Sequence, residues 1–251
     1  MTSLKRTFKF LKNNTKSEFF GFVFGIIIMS TISYIFLLIM NKNGLTGSQI
    51  YGIMHEQADG TYMHSIAGAN LLIILICFVT STYTLYYNAL PTAIGFSSTR
   101  KNFTISAIIN SIIYAALVSI IQTSLFKLDL VLVKNIGKLP IVDYKIFNVS
   151  TDSFIYIFLL LFLLSLFALG ILNLLASANY KMGYIIWIVI GLVFTLITPL
   201  FGGKILKFIS GIALKRINFT SLLILITTPV VTFGLSGLIT KNINIKRKLN
   251  N

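Results

Sequence analysis

The sequence predicts an all-α membrane protein of six transmembrane helices, with an N-terminal amphipathic interfacial helix and a short outer amphipathic segment before the last span. Two observations predict this class. Hydrophobic residues make up 56% of the 251-residue chain and charged residues only 11%, with a mean hydropathy of +0.88. A soluble domain carries about 25% charged residues and could not keep so much apolar surface away from water. The apolar residues also form runs of about 20 residues, the length that an α-helix needs to cross a bilayer.

Six apolar runs are long enough to be spans, and we expect residues 1–251 to form a single transmembrane domain. The predicted spans are Phe19–Met40, Ser65–Tyr87, Phe103–Phe126, Ser153–Leu175, Gly183–Phe201 and Asn218–Thr240. They leave an inner loop over 88–102 and a longer outer loop over 127–152. Within the outer loop, the weak alternation of Leu128–Val133 favours a short extended segment.

Two basic segments have the spacing of helices that lie on a membrane surface. Before the first span, one face carries lysines and the adjacent face carries apolar residues: Lys5, Lys9, Lys12 and Lys16 beside Leu4, Phe8 and Leu11. Before the last span the same contrast recurs, with Lys204, Lys207 and Lys215 opposite Leu206, Ile209 and Ala213. Taken alone, each segment is most simply interpreted as an interfacial anchor.

The net charge of +15 indicates membrane lipid, and not nucleic acid, as a partner. The basic residues cluster in tails and short loops beside apolar runs, where they meet anionic headgroups. Placing both termini in the cytoplasm puts the larger share of Lys and Arg inside, as the positive-inside rule requires. The acidic residues then lie mostly outside: Glu56, Asp59, Asp129, Asp143 and Asp152. We therefore expect a multi-pass protein of the plasma membrane.

The sequence carries no pattern for catalysis, nucleotide binding or metal binding. The Gly202–Lys204 triplet lacks the second glycine and the hydroxyl residue of a phosphate-binding loop. No carboxylate lies within a predicted span, which argues against an ion-coupled carrier and an intramembrane protease. One cluster contains zinc-type ligands, but its spacing matches no zinc pattern and favours a solvated loop: His55, Glu56, Asp59 and His64. We expect no enzyme activity, cofactor or metal in this chain.

The inner loop, NALPTAIGFSSTRKNF, is the most distinctive segment. Pro91 can begin a short helix, because its missing N–H would have no partner in a first turn. Gly95 can end that helix, and Ser97 or Ser98 can cap the third span.

The same loop presents an apolar knob formed by Leu90, Ile94 and Phe96, followed by Arg100 and Lys101. A turn that only sets topology needs a few polar residues and a charge. An apolar knob is instead typical of a segment that docks into a partner's cleft.

The pattern A-L-P, three residues, G-F and then S-T-R-K-N-F resembles the inner loop of small permease subunits of bacterial type-2 ABC exporters. The six-span layout and the two amphipathic segments are similar to that family over nearly the whole chain. The resemblance implies that two membrane subunits pair, as a homodimer or heterodimer, and that each rests on a separate ABC ATPase subunit, which binds the ATP. It also implies a set of ATPase-coupling residues: Leu90, Pro91, Ile94, Gly95, Phe96, Arg100 and Lys101.

Polar and small residues trace one stripe on each of two predicted spans. The second span carries Asn70, Cys77, Ser81, Thr84 and Asn88, and the fifth carries Trp187, Gly191, Thr195 and Thr198. Packing between helices and a path for cargo explain these stripes equally well. The resemblance favours a translocation cleft lined by Asn70, Ser81, Thr84, Trp187, Thr195 and Thr198. An apolar cleft with a few hydrogen-bonding groups suits amphipathic cargo.

Three functions remain open from the sequence. The first is the membrane subunit of an exporter that moves amphipathic peptides of the cytolytic or antimicrobial type out of the cell. The second is a bacteriocin-immunity or antimicrobial-resistance permease of the same architecture. The third is a membrane scaffold or sensor that transports nothing.

Overall fold

The computed structural model describes residues 3–42, 53–56, 62–96, 98–192, 195, 216 and 218–243, and helices dominate them. The helices are α1 (Ser3–Lys42), α2 (Ile66–Thr84), α3 (Leu90–Gly95), α4 (Arg100–Asn135), α5 (Phe154–Met182), α6 (185–192) and α7 (Phe219–Lys241). A π-helical turn, Leu85–Ala89, joins α2 to α3.

Five helical stretches are long and apolar enough to cross a membrane, which confirms the coarse prediction of a helical protein with membrane-spanning segments. They are Leu4–Ile39, Ile66–Gly95, Arg100–Asn135, Phe154–Met182 and Phe219–Lys241. Of the fifth predicted span, Gly183–Phe201, the structure describes only 183–192 and Thr195. Its remainder and the amphipathic segment predicted over 204–215 lie outside the described residues.

Helix α1 unites two elements that the sequence analysis separated. The predicted interfacial helix and the first span form one helix of 40 residues, Ser3–Lys42. No Gly or Pro occurs between Ser3 and Phe20 to end a helix there. At about 1.5 Å per residue, α1 is about 60 Å long, twice the hydrocarbon thickness of a bilayer.

Helix α4 also runs past its predicted end at Phe126, so the extended segment predicted over Leu128–Val133 is wrong. Lys134 lies in the last turn, where a cation is favourable. Gly137, with φ of 78°, then ends the helix, and the Lys138 amide donates to the Val133 carbonyl at 3.2 Å. This is a glycine-based helix C-cap.

A small three-stranded sheet accompanies the helices. Strand β1 (Ile53–Glu56) pairs antiparallel with β2 (Tyr62–Ser65), and β2 pairs in parallel with β3 (Leu139–Pro140). These strands flank α2 and α4 in the chain and occupy connections that the hydropathy pattern left as loops. Short polar and apolar residues in such connections give too weak a period-2 signal to predict strands.

The chain divides into two compact units. The first, here the α3 unit, comprises Met1–Lys16, Phe78–Tyr114 and Leu166–Asn251. The second, here the sheet unit, comprises Ser17–Cys77 and Ala115–Ser165.

In the sheet unit, a carboxylate from α4 caps the start of α2. Asp129 is 4% exposed, and its oxygens accept hydrogen bonds from the Ser65 hydroxyl at 2.6 Å and from the Ile66 and Ala67 amides at 3.0 and 3.3 Å. The first amides of a helix have no partner within the helix, and a negative charge there is favourable. The Gln122 amide group, also from α4, donates to the Ala67 carbonyl at 2.8 Å.

Aromatic rings and a buried histidine complete the sheet unit. Phe126, Tyr144 and Phe147 form a cluster with ring centroids 4.9–5.2 Å apart. Burial raises the pKa of the Tyr144 hydroxyl, which donates to Ser65 Oγ. Burial and the nearby Lys138 ammonium lower the pKa of His64 in β2, so its neutral form is favoured.

In the α3 unit, a glycine lets α5 and α7 approach each other closely. A Cβ placed on Gly170 would lie 2.5 Å from Thr232 Oγ1 and 3.1 Å from Pro229 Cα. At Gly234 of α7, a Cβ would meet nothing within 4 Å. Small residues at helix contacts are the usual device for close packing in membrane proteins.

Candidate docking site at helix α3

Helix α3 differs from the separate short helix that the sequence predicts. It is the last part of one continuous helical stretch, Ile66–Gly95, which includes the π-helical turn Leu85–Ala89. Pro91 lies in the first turn of α3, and the helix ends at Gly95. Its end is held by two backbone bonds, from the Phe96 amide to the Thr92 carbonyl and from the Ser98 amide to the Ala93 carbonyl, both 3.1 Å.

The cap of α4 differs from the predicted one. Thr99, and not Ser98, accepts the Asn102 amide at 3.2 Å, and Ser97 lies outside the described residues. The Ser98 hydroxyl instead meets the Thr7 hydroxyl at 2.6 Å. Ser98 is thus used to fasten α1 to the α3–α4 connection.

The base of α3 is buried in the main apolar cluster of the α3 unit. Leu90 is 0% exposed and Ala93 is almost as buried. The cluster contains residues of α1, of the α2–α3 stretch, of α4 and of α5, together with one residue that follows α7. Its members are Leu11, Leu85, Tyr86, Ala89, Leu90, Ala93, Phe103, Ala107, Ala176 and Ile243. Partly buried Ile94 packs against it. A helix seated in this way cannot shift without moving its neighbours.

The tip of α3 is exposed. Phe96 is 73% exposed and touches Phe10 of α1 edge to face, with ring centroids 6.3 Å apart. Pro91 is half-buried, and Gly95 is exposed beside it. The structure therefore divides the predicted knob: Leu90 and Ile94 pack into the cluster, and Phe96 is its exposed member.

Basic residues flank this tip. Arg100 and Lys101 are exposed in the first turn of α4. Cations at a helix N-terminus oppose the helix dipole, at a cost of about 0.3–1 kcal/mol each. The sequence of the α3 unit contains no Asp or Glu at all, because all six acidic residues lie in the sheet unit. Only five of the 21 basic residues lie in the sheet unit, so 16 belong to the α3 unit: the five are Lys42, Lys127, Lys134, Lys138 and Lys145.

The first turns of α1 run parallel to the start of α4. Thr7 bonds Ser98, and eight residues later Thr15 Oγ1 accepts from Asn110 Nδ2 at 2.8 Å. Contacts in the same order along both helices require the two helices to point the same way. The N-terminal segment therefore shares the direction of α4 and does not lie across it, as an interfacial helix would.

The exposed face of α1 changes character along its length. Lys5, Lys9 and Lys12 are exposed in the first turns. From Phe20, which is 62% exposed, the exposed residues become large and apolar, as at Phe24. Exposed apolar side chains suit hydrocarbon and exposed lysines suit water or headgroups. The water boundary predicted from α1 thus lies shortly before Phe20.

The structure shows individual contacts for several of the predicted cleft residues. Asn70 is fully buried in the sheet unit, where its Nδ2 donates to Ser30 Oγ at 3.0 Å. In the α3 unit, Ser81 is half-buried, and Thr84 Oγ1 donates to the Thr80 carbonyl of its own helix at 2.9 Å. Thr195 Oγ1 likewise donates to the Leu192 carbonyl of its own helix, and Thr198 lies outside the described residues.

Trp187 joins a hydrogen-bonded contact between helices of the α3 unit, through Asn179, a residue that the sequence analysis missed. The Asn179 side chain of α5 donates to the Tyr83 hydroxyl at 2.7 Å and accepts from the Trp187 indole at 3.1 Å. Gly183, with φ of 66°, turns the chain between α5 and α6. Asn179 stands in the polar end of an apolar run, but nothing in its spacing identifies Tyr83 or Trp187 as its partners.

No three His, Cys, Asp or Glu side chains come together to hold a metal ion in the part of the chain that the structure describes. Of the cluster weighed for zinc, Asp59 lies outside that part, and His64 is buried in β2.

Comparisons with known proteins return nothing for this chain: no family model, no curated protein and no solved structure matches it.

Proposed function

We propose that this chain is the membrane subunit of an ATP-driven exporter of amphipathic peptides, and that it docks on a separate ATPase subunit through α3. It works in the plasma membrane with both termini in the cytoplasm, paired with a second membrane subunit as a homodimer or heterodimer. The proposal is supported by five helices able to cross a membrane, by the inner-loop pattern and by the form of the α3 site.

The observation that carries the proposal is an exposed aromatic side chain at the end of a helix whose other apolar side chains are buried or partly buried. Phe96 is 73% exposed, whereas Leu90 in the same helix is 0% exposed. An exposed phenylalanine adds nothing to folding, yet burying it in a partner's cleft contributes about 1.5–3 kcal/mol. Aromatic residues of this kind are the usual energetic centre of a protein interface.

The position of Phe96 argues against a plain turn at the membrane surface. Its neighbour Phe10 lies ten residues before Phe20 in α1. The large exposed apolar side chains of α1 begin at Phe20, whereas the exposed residues next to Phe10 in the chain include Lys9 and Lys12. Phe96 thus contacts the basic part of α1, where it would be available to a soluble partner such as an ATPase.

The test replaces Phe96 and compares it with a matched phenylalanine. In Phe96→Ala, we expect the affinity for the ATPase subunit that co-purifies with the wild-type chain to fall about 10- to 100-fold. The control is Phe219→Ala, because Phe219 is similarly exposed, at 79%. Phe219 lies at the first residue of α7, whereas the residues that pack in the α3 cluster, Ile239 and Ile243, lie at and after the opposite end of that helix. Binding should be unchanged in the control. Equal binding by both variants would remove α3 as the docking element.

Cellular peptide levels test the cargo. Loss of docking in Phe96→Ala should make the cell's own amphipathic peptides accumulate inside. If instead only resistance to peptides added from outside is lost, the immunity permease is the correct function. If no ATPase co-purifies with the chain, the remaining function is that of a membrane scaffold or sensor.

A further inference from the structure

We propose that the partner surface that receives α3 is a cleft whose apolar floor takes Phe96 and whose rim carries carboxylates. The carboxylates pair with exposed cations that flank α3, here the basic collar: Lys5, Lys9, Arg100 and Lys101. The inference rests on the proposed function, and it adds the chemistry of the partner.

The first observation is that all acidic residues belong to one of the two units, the sheet unit. The α3 unit holds 16 Lys and Arg and no Asp or Glu, because the other five basic residues and all six acidic residues belong to the sheet unit. The collar therefore has no carboxylate within its own unit to pair with. The positive-inside rule explains an excess of Lys and Arg near α3, but acidic residues contribute little to topology and the rule does not require their absence.

The second observation is the placement of the cations within their helices. Arg100 and Lys101 occupy the first turn of α4, and Lys5 occupies the first turn of α1. Helix stability favours acidic residues in these positions. The Thr7–Ser98 hydrogen bond and the contact between the Phe10 and Phe96 rings join the two helix starts that carry these cations.

The third observation is the order of exposed residues along α1. Lys5 and Lys9 lie nearest its start, Lys12 and Lys16 follow, and the large exposed apolar side chains begin at Phe20. A lipid surface that meets those apolar side chains would meet Lys12 and Lys16 before the cations of the collar.

Carboxylates on the partner's rim would match the chemistry of the basic collar. An arginine guanidinium pairs with a carboxylate through two parallel hydrogen bonds, and lysine ammonium groups add charge without fixing geometry. Complementary charge around an apolar anchor increases the rate of encounter and fixes orientation. Phe96 and the basic collar would together form one interface with an aromatic centre and a charged rim.

The experiment uses the full chain in nanodiscs of zwitterionic phosphatidylcholine and, as probe, the ATPase subunit that co-purifies with the wild-type chain. We expect Arg100→Glu with Lys101→Glu to lower the affinity for that subunit about 10-fold or more, as loss of a small network of charge pairs would. Wild-type affinity should fall by a similar factor between 50 and 300 mM NaCl, about the range over which screening becomes effective. The matched control is Lys12→Glu with Lys16→Glu, which makes the same charge change nearer the membrane and should leave affinity within about threefold.

The outcomes are distinguishable. If Phe96→Ala loses binding while the Arg100 and Lys101 reversal keeps it at every salt concentration, the collar inference is wrong and the proposed function stands. If neither change affects binding, or if no ATPase co-purifies, both are wrong. If the reversal weakens only attachment to phosphatidylglycerol vesicles, the collar binds lipid. Should the reversal prevent folding, Arg100→Gln with Lys101→Gln removes the charges alone, and retained affinity in that variant would overturn the inference.

Discussion

Replacing Asp129 tests the reasoning about how the sheet unit is held together. In Asp129→Ala, the amides of Ile66 and Ala67 lose their acceptor, and both residues are almost completely buried. Water cannot take the place of the carboxylate at such a site. The Ser65 hydroxyl loses its 2.6 Å acceptor as well.

The magnitude follows from those bonds. Removing an exposed helix cap costs about 0.5–2 kcal/mol, and each buried group left without a partner costs about 1–3 kcal/mol. Two orphaned amides would therefore cost up to about 6 kcal/mol, but the variant no longer has to bury a carboxylate, which offsets part of this. We expect a net loss of about 2–4 kcal/mol in the free energy of unfolding for Asp129→Ala, and about half of that for Asp129→Asn. The asparagine keeps one acceptor oxygen for an amide.

The assay is equilibrium unfolding in mixed micelles, with hydrogen exchange read at the start of α2. Asp143→Ala is the matched control, because Asp143 is exposed in the same unit and accepts only the local Lys145 amide at 2.8 Å. The control should change stability by less than about 0.5 kcal/mol. The capping argument is refuted if Asp129→Ala is no less stable than Asp143→Ala, or if exchange at Ile66 and Ala67 is unchanged.

Two further predictions concern packing and pH. Gly170→Ala should lower the free energy of unfolding by about 1–3 kcal/mol, because the added methyl group would meet Thr232. The control Gly234→Ala should leave it unchanged or raise it by up to about 1 kcal/mol, because alanine has the higher helix propensity. Thermal unfolding of both variants measures the difference. The pKa of His64 is lowered in the fold, so the folded state binds fewer protons than the unfolded chain. Stability should therefore fall as the pH falls below the ordinary value of 6.5, and His64→Gln should remove that dependence, as melting curves at pH 7.5 and 5.5 would reveal.

The helices and the α3 turn follow from signals that act over short range. Runs of apolar residues require helices in a bilayer, because every backbone group must be paired within its own segment. Pro91 and Gly95 act on the turn that contains them. Such local rules identified the α3 site before any contact was known.

The features that sequence analysis missed depend on partners far along the chain. Asp129 acts on a helix that begins 63 residues earlier, and Asn179 bonds Tyr83 from 96 residues away. Hydropathy registers Asp129 only as a charge that should end a span, so α4 was predicted to stop too soon. The partner of Asn70, Ser30, could not be predicted for a related reason, since spacing gives the face of a helix but not its neighbour.

The apolar cluster beneath α3 has a consequence for the order in which the protein forms. It joins Leu11, close to the start of the chain, with Leu90 in α3 and Ile243 after α7. During synthesis, chain segments emerge in order, and contacts of such high sequence separation close late. The apolar cluster that holds α3 is therefore incomplete until α7 has been made and inserted. Under the proposed function, an ATPase subunit would therefore meet a firmly held α3 only on chains whose α7 is already in place.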